Sequence, residues 1–289
     1  MKDMKYFEPQ SLSETVTILD QNKEEAQLIA GGTDFVVGMN KNAFRPDCLI
    51  NISNLGVLDY IEYHAGKSVK IGALTTIAKI KESKIIREHF SIIFQATSQF
   101  ACMAVRNTAT LGGNLCTAAP SADMAPSLIA LGAQVRITSV KGEKVVPLEE
   151  FFLGARKTIL EKGEIVTEIE VPEPSKSCKG IYIKYAMRCQ SDLPVVGIAV
   201  LAKMDNDVCE QARIVLSNVA PTPIRARKAE EIIKGQAVTQ SVIGKCAEAA
   251  FMEACPRAGS IRASAEYKKE MVKVHLRRAL VEITGIGKK

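Results

Sequence analysis

The sequence predicts an α+β chain in two parts, and three observations support that class. Through about residue 174, short β-type segments alternate with stretches whose apolar residues recur at helical spacing. Beyond that point three β-type segments come together and three helical ones follow, which reads as a three-stranded antiparallel sheet with helices packed on it. Pro172 and Pro174 lie between the two parts and mark a domain boundary, giving domains at 1–174 and 175–289.

Taken in order, Ser11-Leu-Ser-Glu14 has the capping-box pattern, in which Ser11 bonds a first-turn amide and Glu14 bonds back, opening a helix through Leu19. Ala26 to Ala30 reads as a short buried strand, and Phe35 to Met39 as the start of a helix that Arg45-Pro46-Asp47 ends. Cys48 to Ile52 is a further strand. Tyr60–Tyr63 and Val69–Gly72 form a hairpin around Ala65-Gly66-Lys67. Helical spacing covers 75–82, 83–100 and Asp123 to Leu131, and strands are expected at 135–139, 145–147 and 165–171. In the second part the strands are 181–187, 195–202 and 212–217. The helices are 223–234, 239–254 and 264–283, the last with Tyr267, Met271, Val274 and Val281 on one face.

Composition narrows the function. Hydrophobic residues make up 47% and charged residues 24% of 289, the balance of a soluble globular protein. The longest apolar runs, such as Pro194 to Ala202, are about half of the ~20 residues a membrane span needs, and the N-terminus lacks a secretory pattern, so a cytoplasmic protein is expected. The eight cysteines are scattered with no C-x-x-C, which reads as reduced, mostly buried thiols and not as a metal site. Three dispersed histidines give no catalytic cluster. The net charge of +6 is uneven: residues 1–175 hold 18 basic and 21 acidic side chains, residues 176–289 hold 20 and 11. With no tryptophan and no nucleic-acid motif, that basic second part is a docking surface for acidic partners or a solvated face, not a nucleic-acid site.

Two Gly-Gly pairs carry the functional signal, Leu28-Ile-Ala-Gly-Gly-Thr-Asp34 and Thr110-Leu-Gly-Gly-Asn114, each following an apolar segment. A glycine pair permits positive φ and lets an anion approach bare backbone, so that consecutive amides form a nest for a diphosphate. Thr33, Asn114 and Thr117 add side-chain donors. Neither pair matches G-x-G-x-x-G or G-x-x-x-x-G-K-[ST], and either alone is more often an ordinary tight turn.

Ala30-Gly-Gly-Thr-Asp34, then Arg106-Asn-Thr-Ala-Thr-Leu-Gly-Gly-Asn-Leu-Cys-Thr117 and Pro120-Ser-Ala-Asp123, resemble the FAD-binding domain in the medium subunit of molybdenum hydroxylases. Lys184-Tyr-Ala-Met-Arg188, Ala220-Pro-Thr-Pro-Ile-Arg225 and Pro256-Arg-Ala-Gly-Ser-Ile-Arg-Ala-Ser264 are similar to the C-terminal domain of the same subunits, so the resemblance covers nearly the whole chain. It is strongest to the xanthine dehydrogenase flavin subunits and extends to the carbon monoxide dehydrogenase flavoprotein. The resemblance implies a vanillyl-alcohol-oxidase (PCMH-type) fold, with subdomains of about 1–56 and 57–174 gripping FAD, followed by a carbon-monoxide-dehydrogenase-flavoprotein-like C-terminal domain.

By the same resemblance, Gln27, Leu28, Ile29, Ala30, Gly31, Gly32, Thr33 and Asp34 wrap the FAD diphosphate and neighbouring groups together with Thr110, Leu111, Gly112, Gly113 and Asn114. Phe100, Asp123, Ile165 and Lys184 fall where relatives also contact the cofactor, and Thr117 is counted among the cofactor-binding residues for its side-chain donor. Read from the residues alone, Phe100 is equally core packing, Asp123 a helix N-cap and Lys184 a solvated charge. A lysine near the flavin favours its anionic reduced form. No residue is assigned to catalysis or to a metal in this chain. The resemblance implies a hetero-oligomer with a small subunit carrying 2Fe-2S clusters and a large molybdopterin subunit, and NAD or another molecule as electron acceptor. The chief rival is the flavin subunit of a related carbon monoxide, nicotinate or aromatic acyl-CoA enzyme, and a stand-alone FAD-binding module without turnover is the rival from another class; a self-contained flavin oxidase lacks a visible acid, base or flavin-linking histidine.

Overall fold

The computed structural model describes residues 4–189 and 191–286, which form three larger sheets, one two-stranded sheet and the helices between and over them. The first sheet is parallel: Cys48–Asn51 lies between Lys5–Phe7 and Ala26–Ile29. Parallel neighbours need crossovers, and helix Leu12–Gln21 supplies one. The Ser11 hydroxyl accepts from the Glu14 amide at 3.1 Å, and Glu14 accepts from Gln10, one residue ahead of the reciprocal bond expected. Ala26–Ile29 is half-buried along its length, not buried, because it is an edge strand.

The second sheet is antiparallel, with Ile61–His64, Ser68–Gly72, Ile165–Pro172, Gln134–Ser139 and Gly142–Pro147 as spatial neighbours in that order. The stretch 83–100 is two helices, Lys84–His89 and Ser91–Ser98, with Ile77–Glu82 ahead of them. Ser83 caps the first through its hydroxyl. Phe90 breaks the helical path at φ −129° and ψ 54° and is buried in the core. A short pair of strands, Phe152–Gly154 and Lys157–Thr158, was not visible in the sequence pattern.

In the third sheet the long strands Cys178–Tyr185, Val196–Asp205 and Val208–Ser217 run antiparallel, and the two-residue strands Ile224–Arg225 and Gln236–Ala237 both add to the last of them. Side chains alternate across a strand. Ile181, Ile198, Val200, Ile214 and Leu216 therefore enter a core under helices Arg227–Ile233, Gln240–Glu253 and Ala265–Thr284, while Tyr182, Ala199 and Val215 enter the core of the second sheet. Both faces are covered, which is why Val195 to Ala202 is nearly all apolar in place of an alternating run.

On Ala265–Thr284 the buried stripe is Lys268, Val272, His275, Leu276, Ala279, Leu280 and Ile283, so the face expected from Tyr267, Met271, Val274 and Val281 is corrected: those residues flank the buried stripe. The cysteine expectation is corrected too. All eight are free, but only Cys48, Cys209 and Cys246 are buried, while Cys102, Cys116, Cys189 and Cys255 are exposed at loops and helix ends. Among the described residues no helix is long and apolar enough to cross a membrane.

His275 stacks on Tyr185 at 4.7 Å, and its buried Nδ1 has no partner among the described residues. Burial, helped by Arg278, lowers its pKa from 6.5 to about 4. The unfolded chain therefore takes up a proton first as pH falls, so this stability is present above pH 6.5 and lost on the way down to about 4. Replacing His275 with phenylalanine is expected to flatten the urea-midpoint profile over that window by roughly 1–3 kcal/mol. A variant whose midpoint falls as steeply as the parent's would refute it.

Candidate functional site

A cavity of about 840 Å³, within the usual range for cofactor sites, draws wall residues from all three sheets. Its first wall is strand Ala26–Ile29 and the turn that follows. Gly32 has φ 69°, the left-handed region that a side chain strains to enter. Gly31 serves a different end: an added Cβ would stand 1.9 Å from the Thr108 carbonyl oxygen, so only glycine lets the two backbones meet. Among the described residues no acceptor meets the N–H groups of Gly32, Thr33, Asp34 or Phe35, at the start of helix Phe35–Asn40. The Asp34 side chain makes no cap bond; it accepts from Arg156 at 2.9 Å, and that pairing holds the guanidinium above its usual pKa.

The second glycine pair differs from expectation. It is no turn after a strand: Thr110 follows the short helix Met103–Arg106 and caps helix Leu111–Cys116, its hydroxyl accepting from the Gly113 amide at 3.1 Å. The amides of Leu111 and Gly112 donate to Thr75 and Ala73 carbonyls at 3.0 and 2.8 Å. The bare amides expected at 112–113 are thus consumed inside the protein. Gly112 permits this approach, since a Cβ there would lie 2.8 Å from both the Cβ and the oxygen of Ala73. Gly113 is exposed at the cavity, and Asn114 beside it holds a buried Oδ1 with no partner among the described residues.

Opposite lies a buried polar cluster. Asp123 sits just ahead of helix Met124–Leu131 but makes no side-chain cap bond; its Oδ1 accepts from Tyr182 Oη at 3.1 Å and its Oδ2 from Lys184 Nζ at 2.8 Å. Lys184 also donates to the Gln99 carbonyl at 3.0 Å. Their side chains are 1% and 8% exposed for Lys184 and Asp123, so Lys184 is no solvated charge. Burial pushes the Asp123 carboxyl above the usual carboxylate range, against the opposing pull of Lys184 and Tyr182. Phe100 is both core and cavity wall, at 7% exposure.

The cavity gathers every residue singled out in the sequence except one: Gln27 through Asp34, Phe100, Thr110, Gly112, Gly113, Asn114, Thr117, Asp123, Ile165 and Lys184 all line it. Leu111 does not. It is fully buried in the second-sheet core, and its amide is spent on Thr75.

Residues 2–174 match the family model described as the FAD binding domain in molybdopterin dehydrogenase, and 181–283 match the CO dehydrogenase flavoprotein C-terminal domain. The chain is an FAD-binding medium subunit of the molybdenum hydroxylase family. It is 30% identical to the xanthine dehydrogenase FAD-binding subunit of Escherichia coli O157:H7, over 96% of this chain and 94% of that one. To the nicotinate dehydrogenase FAD-subunit of Eubacterium barkeri it is 31% identical over 98% and 97%. A solved chain of Hydrogenophaga pseudoflava carbon monoxide dehydrogenase, lacking the Mo-pyranopterin moiety of its cofactor, superposes with a TM-score of 0.94 at 32% identity, covering 98% and 97%.

In this flavin subunit the sequence reading missed several wall residues. Lys23, Arg156 and Lys162 line the cavity, each paired with a carboxylate: Asp20, Asp34 and Glu24. Ser191, Asp192 and Leu193 bring a third-sheet loop to it. No periodicity or motif marks them, because they converge only through packing. The residues fit FAD: an orphaned amide oxygen at Asn114, free amides at 32–35 and cations on the same wall are the donors and acceptors that a dinucleotide's phosphates and hydroxyls require.

Proposed function

We propose that the chain holds FAD in this cavity and passes electrons from the 2Fe-2S clusters of a small partner subunit to NAD or another acceptor, in a complex whose large subunit carries the molybdopterin cofactor. The observation that carries the reading is the convergence of both glycine segments on one cavity with the unpartnered Asn114 oxygen in its wall. Gln27 to Asp34, with Thr110, Gly112, Gly113 and Asn114 across from them in the lining, would hold the diphosphate end. The free amides at 32–35 favour that anion there, with Arg156 held beside them by Asp34. Phe100, Asp123, Ile165, Thr117 and Lys184 would meet the rest of the cofactor. When bound, the flavin takes electrons singly and gives them up in pairs, which suits a carrier between one-electron clusters and a hydride acceptor. The proposed domains are 1–174 for the flavin and 175–289 for a wall of its site and for docking.

Xanthine dehydrogenase is the proposed complex, supported by the relatives of that name. Nicotinate and carbon monoxide dehydrogenase subunits are as similar, and the flavin role proposed for this chain would be the same in a complex of either kind. Titrating the purified chain with FAD tests the binding step. One equivalent with quenched flavin fluorescence is expected, and Asn114→Leu is expected to weaken it about tenfold, or about 1.4 kcal/mol, by removing one hydrogen bond. Equal affinity in both would count against the assigned wall. The isolated chain is expected to reduce dyes with NADH and to leave purines untouched until both partners are added.

A further inference from the structure

Strand Cys178–Tyr185 is an edge of its sheet, yet its outer backbone groups are paired. Gln95, on helix Ser91–Ser98, accepts from the Tyr182 amide at 2.8 Å and donates to the Gly180 carbonyl at 3.4 Å. Gln99, just past the helix end, accepts from the Lys184 amide at 3.2 Å and donates to the Tyr182 carbonyl at 3.1 Å. Four helical residues rise about 6 Å and two strand residues about 6.6 Å, so two glutamines four apart match alternate residues of a strand. Gly180 lets the strand come this near, for a Cβ there would lie 3.2 Å from that of Ile92. The residues so gripped are the ones whose side chains reach Asp123, namely Tyr182 and Lys184.

We propose that Gln95 and Gln99 are positioning residues of the flavin site: side-chain amides standing in for a missing strand, which fix the register of Cys178–Tyr185 and so hold the Lys184 ammonium at the cavity wall. The inference rests on the flavin reading above. A slip of one residue would turn Lys184 to the opposite face and leave the Asp123 carboxylate buried without its cation. Gln99 acts on Lys184 directly, through its amide. Gln95 acts one step away, through Tyr182.

The test compares the whole chain, loaded with FAD, with its Gln99→Met and Gln95→Met variants. Ile243→Val, a core truncation in the helices remote from the cavity, serves as a control for lost stability. All three are expected to lower Tm. Only the glutamine variants are expected to move the midpoint potential and visible spectrum of the bound flavin. The potential shifts negative, by about 30 mV for Gln99→Met, the two-electron equivalent of a tenfold change in preference for reduced over oxidised flavin, and by less for Gln95→Met. Glutamine variants that match the control in Tm while keeping the parent's potential and spectrum would overturn the proposal, leaving the flavin reading intact. A parent chain that binds no FAD would bring down both. The milder Gln95→Met keeps the comparison decisive should Gln99→Met fail to fold.

Discussion

Gly31→Ala is expected to cost about 3 kcal/mol of stability and to lower FAD affinity at least a hundredfold, out of proportion to one added methyl group. The methyl carbon would stand 1.9 Å from the Thr108 carbonyl oxygen and 2.7 Å from its carbon, and both are backbone, so no side-chain rotation relieves the overlap. Thr108 leads directly into the Thr110 cap and the Gly112 contact with Ala73. Pushing it away therefore separates the two glycine segments that share the cavity. Gly244, inside helix Gln240–Glu253, makes the natural control: an added Cβ meets nothing within 4 Å, and alanine there is expected to stabilise by roughly 0.5–1 kcal/mol. Urea midpoints and FAD titrations of both variants measure the contrast. If Gly31→Ala behaves like Gly244→Ala, the close approach does not exist in solution.

Lys184→Met should be the most damaging change to a charged residue, at about 3–5 kcal/mol, because it strands the Asp123 carboxylate in the interior. The pair is nearly sealed from solvent, with Tyr182 the remaining donor to Asp123. Its pH dependence has a definite sign. Burial already raises the Asp123 carboxyl above 3.8, and removing the ammonium takes away the largest influence opposing that rise. A carboxyl whose folded pKa is raised keeps its stability below the unfolded pKa and loses it as pH rises through the folded pKa. The variant's deficit relative to the parent should therefore shrink from pH 8 to pH 5, as measured by urea midpoints. A deficit independent of pH would mean that Asp123 stays charged and is solvated by some other route. Loss of flavin from the variant is expected at both pH values, since the wall itself is displaced.

Much of the molecule was legible in its sequence because the responsible forces are local. The Ser11 cap, the hairpin around Gly66 and the order of the long strands and helices after Pro174 each depend on residues within a few positions of one another. The motif Ala30 to Asp34 was legible for a similar reason, as a strand, a left-handed glycine and a helix start in sequence. What misled was local pattern without its neighbours. Thr110 to Asn114 looks like a turn but opens a helix, since the amides that seemed available are claimed by Ala73 and Thr75, more than thirty residues away. The stripe on the last helix came out rotated because a buried lysine and a buried histidine, Lys268 and His275, took places that hydropathy would give to apolar residues.

By itself, then, the sequence determined the order and kind of its longer elements and the places of the two glycine segments, because backbone geometry and capping act over a few residues. Only the tertiary structure decided which of these meet. It set Gly31 against Thr108, Arg156 against Asp34 and the glutamine pair against the edge strand, and it buried Lys184 on Asp123. Those contacts join residues distant along the chain, and their strength comes from close packing and lost solvent, neither of which exists until the sheets have docked.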